Sequence, residues 1–193
     1  MNKLMNYACG SWTEGSGSGQ ALYNAVNGDL VAVADSSGID FGRMLEYGRN
    51  VGGPALRKMS FQERGRMLKA LALYLTERKA SYYPVSFMTG ATKTDSWIDI
   101  DGGIGTLFAY SSLRRKLPNQ SFCLDGETAP LSKENSFIGQ HILVPKRGVA
   151  VHINAFNFPV WGMLEKISVN LLAGVPAVVK PATVSSFLAE AVV

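Results

Sequence analysis

The stretch from Gly148 to Pro181 constrains the fold more than any other part of the sequence. Gly148-Val-Ala-Val-His-Ile153 is a short apolar run of the kind that forms a buried strand. Asn154 to Pro159 reads as a loop, and Pro159 suits the first turn of a helix, where its missing N–H costs nothing. Met163, Leu164, Ile167, Leu171 and Leu172 then recur at helical spacing. Gly174 supplies a C-terminal stop, and Pro176-Ala-Val-Val-Lys180 returns to a strand closed by Pro181. Strand–helix–strand implies a parallel pair with a right-handed crossover. Both strands end at one edge of the sheet, where open α/β sheets bind ligands. Asn157 follows the first strand and Lys180 ends the second, so an amide and an ammonium group are expected to face one crevice. No Gly-x-Gly-x-x-Gly lies there, so the crevice is not an ordinary dinucleotide fingerprint.

Upstream, residues 7 to 35 read as short strands broken by turns. Gly15-Ser-Gly-Ser-Gly19 is expected to be a flexible turn, and Asn27-Gly28 joins Leu22-Tyr23 to Leu30-Val-Ala-Val33 as a hairpin. Asp40 is placed to cap a helix from Phe41 to Arg49, which Gly52-Gly53-Pro54 should break. Ser60-Phe-Gln-Glu63 is a capping box, followed by the apolar stripe Met67, Leu68, Leu71 and Leu75. Helical character resumes after Thr92 and runs through Trp97 to Leu117, with Arg114-Arg115-Lys116 complementing the helix dipole. Within it, Asp101-Gly102-Gly103-Ile104-Gly105 lacks a preceding strand, so it reads as a tightly packed helix face and not a phosphate loop. Residues 121 to 147 hold two strand-like runs, Phe122 to Leu124 and Phe137 to Val144, separated by a polar turn.

Composition closes off other classes. The 193 residues are 47% hydrophobic and 18% charged, which supports a packed core and argues against disorder. A net charge of +4 with scattered basic residues is no nucleic-acid footprint. Cys9 and Cys123 lie far apart, and neither pairs with a histidine at ligand spacing, so no metal site or disulfide framework is expected. Asp95, Asp99 and Asp101 have no His or Cys beside them and read as a solvated face. His152, inside a strand, reads as a core residue, and His141 has no partner in the sequence. No apolar run reaches membrane length, and the N-terminus has no signal-peptide core, so the expected location is cytoplasmic.

Gly148-Val-Ala-Val-His-Ile-Asn-Ala-Phe-Asn-Phe-Pro-Val-Trp161 and Asn170-Leu-Leu-Ala-Gly-Val-Pro-Ala-Val-Val-Lys-Pro-Ala182 resemble the aldehyde dehydrogenase superfamily, and the resemblance runs over essentially the whole chain. The family's Asn-Phe-Pro asparagine falls on Asn157 and its Lys-Pro lysine on Lys180. Ser96-Trp97-Ile-Asp-Ile-Asp-Gly-Gly-Ile-Gly-Thr-Leu-Phe108 and Ala155-Phe-Asn-Phe-Pro-Val-Trp-Gly-Met-Leu-Glu-Lys166 look closest to the dehydrogenase half of the bifunctional PaaZ-like phenylacetate-degradation proteins, with semialdehyde dehydrogenases of the aerobic benzoyl-CoA pathway second.

The resemblance implies an α/β fold: the N-terminal portion of an aldehyde dehydrogenase, with a helical layer, an oligomerisation-type hairpin at 121–147 and the first βαβ unit of a Rossmann-like cofactor sheet at 148–193. It implies that Asn157 donates to the oxyanion formed when a thiolate attacks an aldehyde, giving a thiohemiacetal that loses hydride to NADP, or NAD, on the way to an acid. The backbone around Ile153, Asn154, Ala155 and Phe156 would line the nicotinamide end; Lys180, Ala182 and Thr183 would hold the adenosine ribose. In the family an acidic residue commonly stands where Thr183 is, so NADP is the expected cofactor. The substrate implied is a small aldehyde, and the subfamily likeness implies a semialdehyde carried on coenzyme A; the partner implied is a second copy of the chain. The family's nucleophilic cysteine and general-base glutamate belong downstream of Lys180, so residues 1–193 alone are expected to be inactive and prone to association. Two rival readings are a non-catalytic assembly or binding module and a short oxidoreductase with an unusual cofactor loop. Asn157 also has a plainer reading, as a helix N-cap.

Overall fold

The computed structural model describes residues 2–193. Four two-stranded sheets surround a helical layer. The N-terminal region pairs β1 (Met5–Ala8) with β2 (Ser11–Glu14) and β3 (Gln20–Tyr23) with β4 (Leu30–Ala34), both antiparallel. Helices α1 (Phe41–Tyr47), α2 (Gly53–Lys58), α3 (Phe61–Phe87) and α4 (Lys93–Ser112) follow. An antiparallel hairpin, β5 (Cys123–Pro130) and β6 (Ile138–Leu143), leads into β7 (Ala150–Ile153), α5 (Pro159–Ala173), β8 (Ala177–Lys180) and α6 (Ser186–Val192). β7 and β8 are parallel, as the strand–helix–strand pattern requires.

The core lies among the helices. Leu68, Ala72 and Leu75 of α3, Ile100, Ile104 and Leu107 of α4, and Val160, Met163 and Leu164 of α5 are buried together, with Leu188 of α6 beneath them. A fully buried leucine contributes about 2 kcal/mol by leaving water, so the stripe read from α3 is one of three faces that hold the layer together. The Ser60–Glu63 capping box is formed in both directions, and a second one, Thr92–Asp95, starts α4. The basic tail also acts as expected at a helix end, with Arg114 donating to the Ser111 carbonyl at 2.6 Å.

Three expectations are corrected. Gly52-Gly53-Pro54 does not break the helix: α1 passes through a π-type turn at Gly48–Gly52 directly into α2, with Pro54 in the first turn, where no N–H is needed. The glycines serve packing instead, because a Cβ on Gly48 would lie 2.5 Å from Val149 and one on Gly52 3.2 Å from Pro176. The Gly15–Gly19 segment is not a free turn. Lys3 Nζ donates to the Gly15 and Gly17 carbonyls at 2.6 and 2.7 Å and pairs with Asp35 at 3.0 Å. The run read as Phe122 to Leu124 extends to Pro130, past a register shift between Asp125 and Ala129. No helix among the described residues is long and apolar enough to cross a membrane.

Candidate functional site

The site grows from the carboxyl ends of β7 and β8. Register pairs Ile153 with Lys180, and the N–H of Asn154 donates to the Lys180 carbonyl at 3.0 Å, carrying the ladder one residue past β7. Two residues read as ligand-facing are thereby locked side by side. Ile153 is 77% exposed and Lys180 is exposed, with no ion pair to Lys180 among the described residues. The chain then leaves the sheet through residues 154–158.

Along that loop the assigned residues diverge. Asn154 turns inward: it is buried, and neither end of its amide finds a hydrogen-bond partner among the described residues. Ala155, Phe156 and Asn157 face outward, Phe156 at 65% exposure. Ala182 and Thr183 lie just past β8, half-buried. Ala182 precedes a 3₁₀ turn, Thr183–Ser185, whose first carbonyl accepts from Ser186 Oγ at 2.8 Å. Thus Ile153, Phe156, Asn157 and Lys180 present side chains outward at the carboxyl end of the sheet, whereas Asn154 offers its backbone.

Asn157 is not the cap of α5. Phe158 holds that position and contributes no side-chain hydrogen bond. The helix is capped from another element. Asp99 of α4 accepts the Trp161 N–H at 2.7 Å on one oxygen and the Val160 N–H at 3.3 Å on the other. Pro159 has no N–H, so these are the donors the first turn leaves free. Asp99 is 3% exposed, which corrects its reading as part of a solvated face. Burial pushes its carboxyl up to about 6, against the opposing pull of the Trp161 and Val160 amides. Asp95 caps its own helix, and Asp101 accepts from Tyr83 at 2.5 Å and pairs with Lys79. No cluster of metal ligands occurs among the described residues.

Glycines make the approach of α4 and α5 possible. A Cβ on Gly103 would lie 3.0 Å from Trp161 Cα and 3.1 Å from its nitrogen, and one on Gly102 3.3 Å from the indole. Asp99, Gly102 and Gly103 occupy i, i+3 and i+4, one face of α4. Gly102 and Gly103 are therefore a helix-packing surface, as their sequence context suggested, whereas Gly105 faces open space. The signal for Asp99 lay in the same place: an acid one turn before paired glycines on one helix face. Trp161 also borders a cleft of about 330 Å³ with Trp97, Ile98, Asp101 and Gly102.

His152 sits behind the sheet edge, buried, its Nε2 2.6 Å from the Asn170 amide nitrogen. Burial, and then the charge of Lys166, lower its pKa, which keeps the ring neutral and agrees with a core role. Cys9 and Cys123 are free thiols on elements remote in sequence from this edge: the β1–β2 turn and the start of β5.

Comparison with known proteins gives these features a family context. The sequence pattern of the aldehyde dehydrogenase family matches residues 12–193. The chain is 43% identical, over 192 residues, to a 3,4-dehydroadipyl-CoA semialdehyde dehydrogenase of Aromatoleum evansii, an alignment covering 99% of this chain and 37% of that protein. Its fold matches aldehyde dehydrogenase 21 of Physcomitrella patens with a TM-score of 0.81 at 20% identity, over 99% of this chain and 39% of the other. It matches betaine aldehyde dehydrogenase of Staphylococcus aureus, solved with NAD+, with a TM-score of 0.79 at 18% identity, over 100% of this chain and 37% of the other. The chain thus spans little more than a third of the length of these relatives.

Proposed function

The chain belongs to the aldehyde dehydrogenase family, and from that premise we propose that it forms the part of an NAD(P)-dependent aldehyde dehydrogenase that stabilises the oxyanion and holds the cofactor. The observation that carries this reading is the freedom of Asn157. Asp99 takes over the capping of α5, so the amide of Asn157, in the loop after β7, stands exposed with no hydrogen bond among the described residues.

Asn157 is assigned as the donor to the oxygen of the reacting carbonyl. One such donor is worth about 3–4 kcal/mol in the transition state. Bound NADP supplies the hydride acceptor. Lys180 suits its ribose phosphate end, since its ammonium is exposed and without an ion pair among the described residues. Ile153 to Phe156 would border the nicotinamide end, Asn154 through its backbone alone. Ala182 and Thr183 would flank the ribose. The thiol that attacks the aldehyde and the base that activates water are assigned to parts of the enzyme beyond these 193 residues, because Cys9 and Cys123 stand on other elements.

For the substrate we propose a semialdehyde carried on coenzyme A, a reading supported by the 43% identity to a CoA-semialdehyde dehydrogenase. Phenylacetate catabolism is the narrower assignment, and the aerobic benzoyl-CoA route is its alternative. The test of the central claim is Asn157→Ala in the intact enzyme. A fall in kcat of about a hundredfold or more, with cofactor affinity little changed, is expected. Near-parental kcat with a lowered melting temperature would return Asn157 to a structural role.

A further inference from the structure

The reach of Asp99 across two helices has a consequence for the reaction. The loop that carries Asn157 is short. It is fixed at one end by the β7–β8 ladder, through the Asn154 N–H and the Lys180 carbonyl. Its other end is the first turn of α5. That turn is fixed by one side chain from outside it, the buried carboxylate of Asp99, which holds the Trp161 and Val160 amides. Neither Phe158 nor Asn157 supplies a cap.

The seat below is equally exacting. Gly103 brings the α4 backbone so close that a Cβ would crowd Trp161 Cα and nitrogen at 3.0 and 3.1 Å. Trp161, in the first turn of α5, is four residues from Asn157 in the preceding loop. A shift of the turn on its seat is therefore transmitted to the Asn157 amide through a few stiff bonds, one of them at Pro159, whose ring fixes φ.

We propose that Asp99, seated by Gly103, is a positioning residue for the oxidation step: it sets where Asn157 presents its amide, and acts on catalysis only through Asn157. The proposal rests on the reading of Asn157 as the oxyanion donor. Asp99 touches neither aldehyde nor cofactor in this reading.

The chemistry explains why a carboxylate is needed. Two N–H groups converge on one side chain, and only a carboxylate offers an acceptor to each without a rotor or a competing donor. An asparagine has nearly the same shape but turns an NH2 group toward one of the two amides. The turn must then tilt or leave an N–H unpaired in a buried place. A misplacement of the order of 1 Å at a reacting centre costs about a hundredfold in rate, so a partial tilt predicts a loss of about tenfold.

The test is a mutant cycle in the intact enzyme, using Asp99→Asn, Gly103→Ala, Asn157→Ala and the double variant Asp99→Asn with Asn157→Ala. Steady-state kinetics are read together with NADP affinity by fluorescence titration. Asp99→Asn and Gly103→Ala should each lower kcat by about tenfold while leaving NADP affinity within about twofold. The double variant should be no slower than Asn157→Ala alone, because the positioning residue has nothing left to position. Gly103→Ala keeps the carboxylate and disturbs only the seat, so it answers for Asp99→Asn should that variant fold poorly. Parental kcat in both single variants beside a crippled Asn157→Ala would overturn this inference and leave the reading of Asn157 standing. So would a double variant whose losses multiply. Parental kcat in Asn157→Ala would overturn both.

Discussion

The carboxylate of Asp99 holds the backbone N–H of Trp161 at 2.7 Å, 62 positions along the chain, from a site 3% exposed to solvent. The bond joins α4 to the first turn of α5 and gives the layer an unusual titration. Burial raises the Asp99 carboxyl to about 6, above its ordinary value of 3.8.

The sign of the resulting pH dependence follows. Between those two values the folded protein holds a proton on Asp99 that the unfolded chain has released, so this group adds stability as pH falls from about 6 to about 4. Asp99→Asn abolishes that contribution. Melting temperatures of parent and variant, taken across this range, should diverge in favour of the parent as the solution becomes more acid. A constant difference at every pH would show that Asp99 titrates as an ordinary surface carboxylate.

Asp35 has the opposite character. Its carboxylate accepts from the Ser37 N–H at 2.9 Å and the Gly17 N–H at 2.6 Å, and it pairs with Lys3 at 3.0 Å. The bonds from Ser37, and then the Lys3 ammonium, hold its carboxyl well below the usual range. A depressed carboxylate contributes stability above its unfolded pKa and loses it as pH falls below that value. Asp35→Ala removes three partners from this cluster and leaves the Lys3 ammonium with the Gly15 and Gly17 carbonyls and the more distant Glu14. The expected outcome at neutral pH is a lower unfolding midpoint, read by urea denaturation. The loss should shrink toward low pH; a loss that persists undiminished in acid would assign it to packing.

Much of this architecture was legible because local and global signals agree. Pro159 and Gly174 bracket α5 as their backbone preferences require, with Gly174 at φ +82. The capping box at Ser60 marks the start of α3, and the β7–α5–β8 pattern fixed the edge where Ile153 and Lys180 meet. What escaped were relationships between segments distant in sequence. The Gly15–Gly19 turn looks free until Lys3 and Asp35 reach it, and Gly48 and Gly52 look like helix breakers until Val149 and Pro176 press against them. Asp99 was misread for the same reason. A charge grouped with Asp95 and Asp101 suggests solvent, and only the N-terminus of another helix explains its burial. The side chain of Asn154 turns inward, and ladder pairing continues through its N–H.

Thr183 bears on cofactor choice. It stands at the first position of the 3₁₀ turn after β8, half-buried, three residues beyond Lys180. A carboxylate there would accept a hydrogen bond from a ribose 2′-hydroxyl and repel a 2′-phosphate. Threonine does neither, while Lys180 offers a positive charge. The intact enzyme should therefore prefer NADP, and Thr183→Glu should shift the ratio of kcat/KM values toward NAD by about tenfold or more. Equal or better turnover of NAD by the parent would defeat this assignment.

Gly174 is constrained twice over. Its φ of +82 lies in the left-handed region, and a Cβ would meet Arg64 Nη1 and, at 3.1 Å, Pro145. Arg64 is fully buried and cannot swing into solvent without opening the layer. Gly174→Ala should cost more than the usual loss of about 1 kcal/mol for a left-handed alanine, and a melting curve within a degree of the parent would contradict the packing described.

The strands of the β5–β6 hairpin pair with each other and, among the described residues, with no third strand, so both outer edges carry unpaired backbone groups. Leu124, Phe137, Ile138, Ile142, Leu143 and Val144 are each more than half exposed. A two-stranded ribbon with an apolar surface is marginal by itself in water, and open edges of this kind seek pairing. A cover is therefore expected, and a second copy of the chain is the occupant the family resemblance implies. Deleting Asp125 to Gln140 from the intact enzyme should lower its oligomeric state in sedimentation velocity. Leu124→Glu with Ile142→Glu should do the same while leaving the hairpin's length intact, since two carboxylates on one apolar face resist burial. Parental sedimentation in both variants would mean that the hairpin's apolar residues are covered from within the subunit, and that assembly runs through another surface.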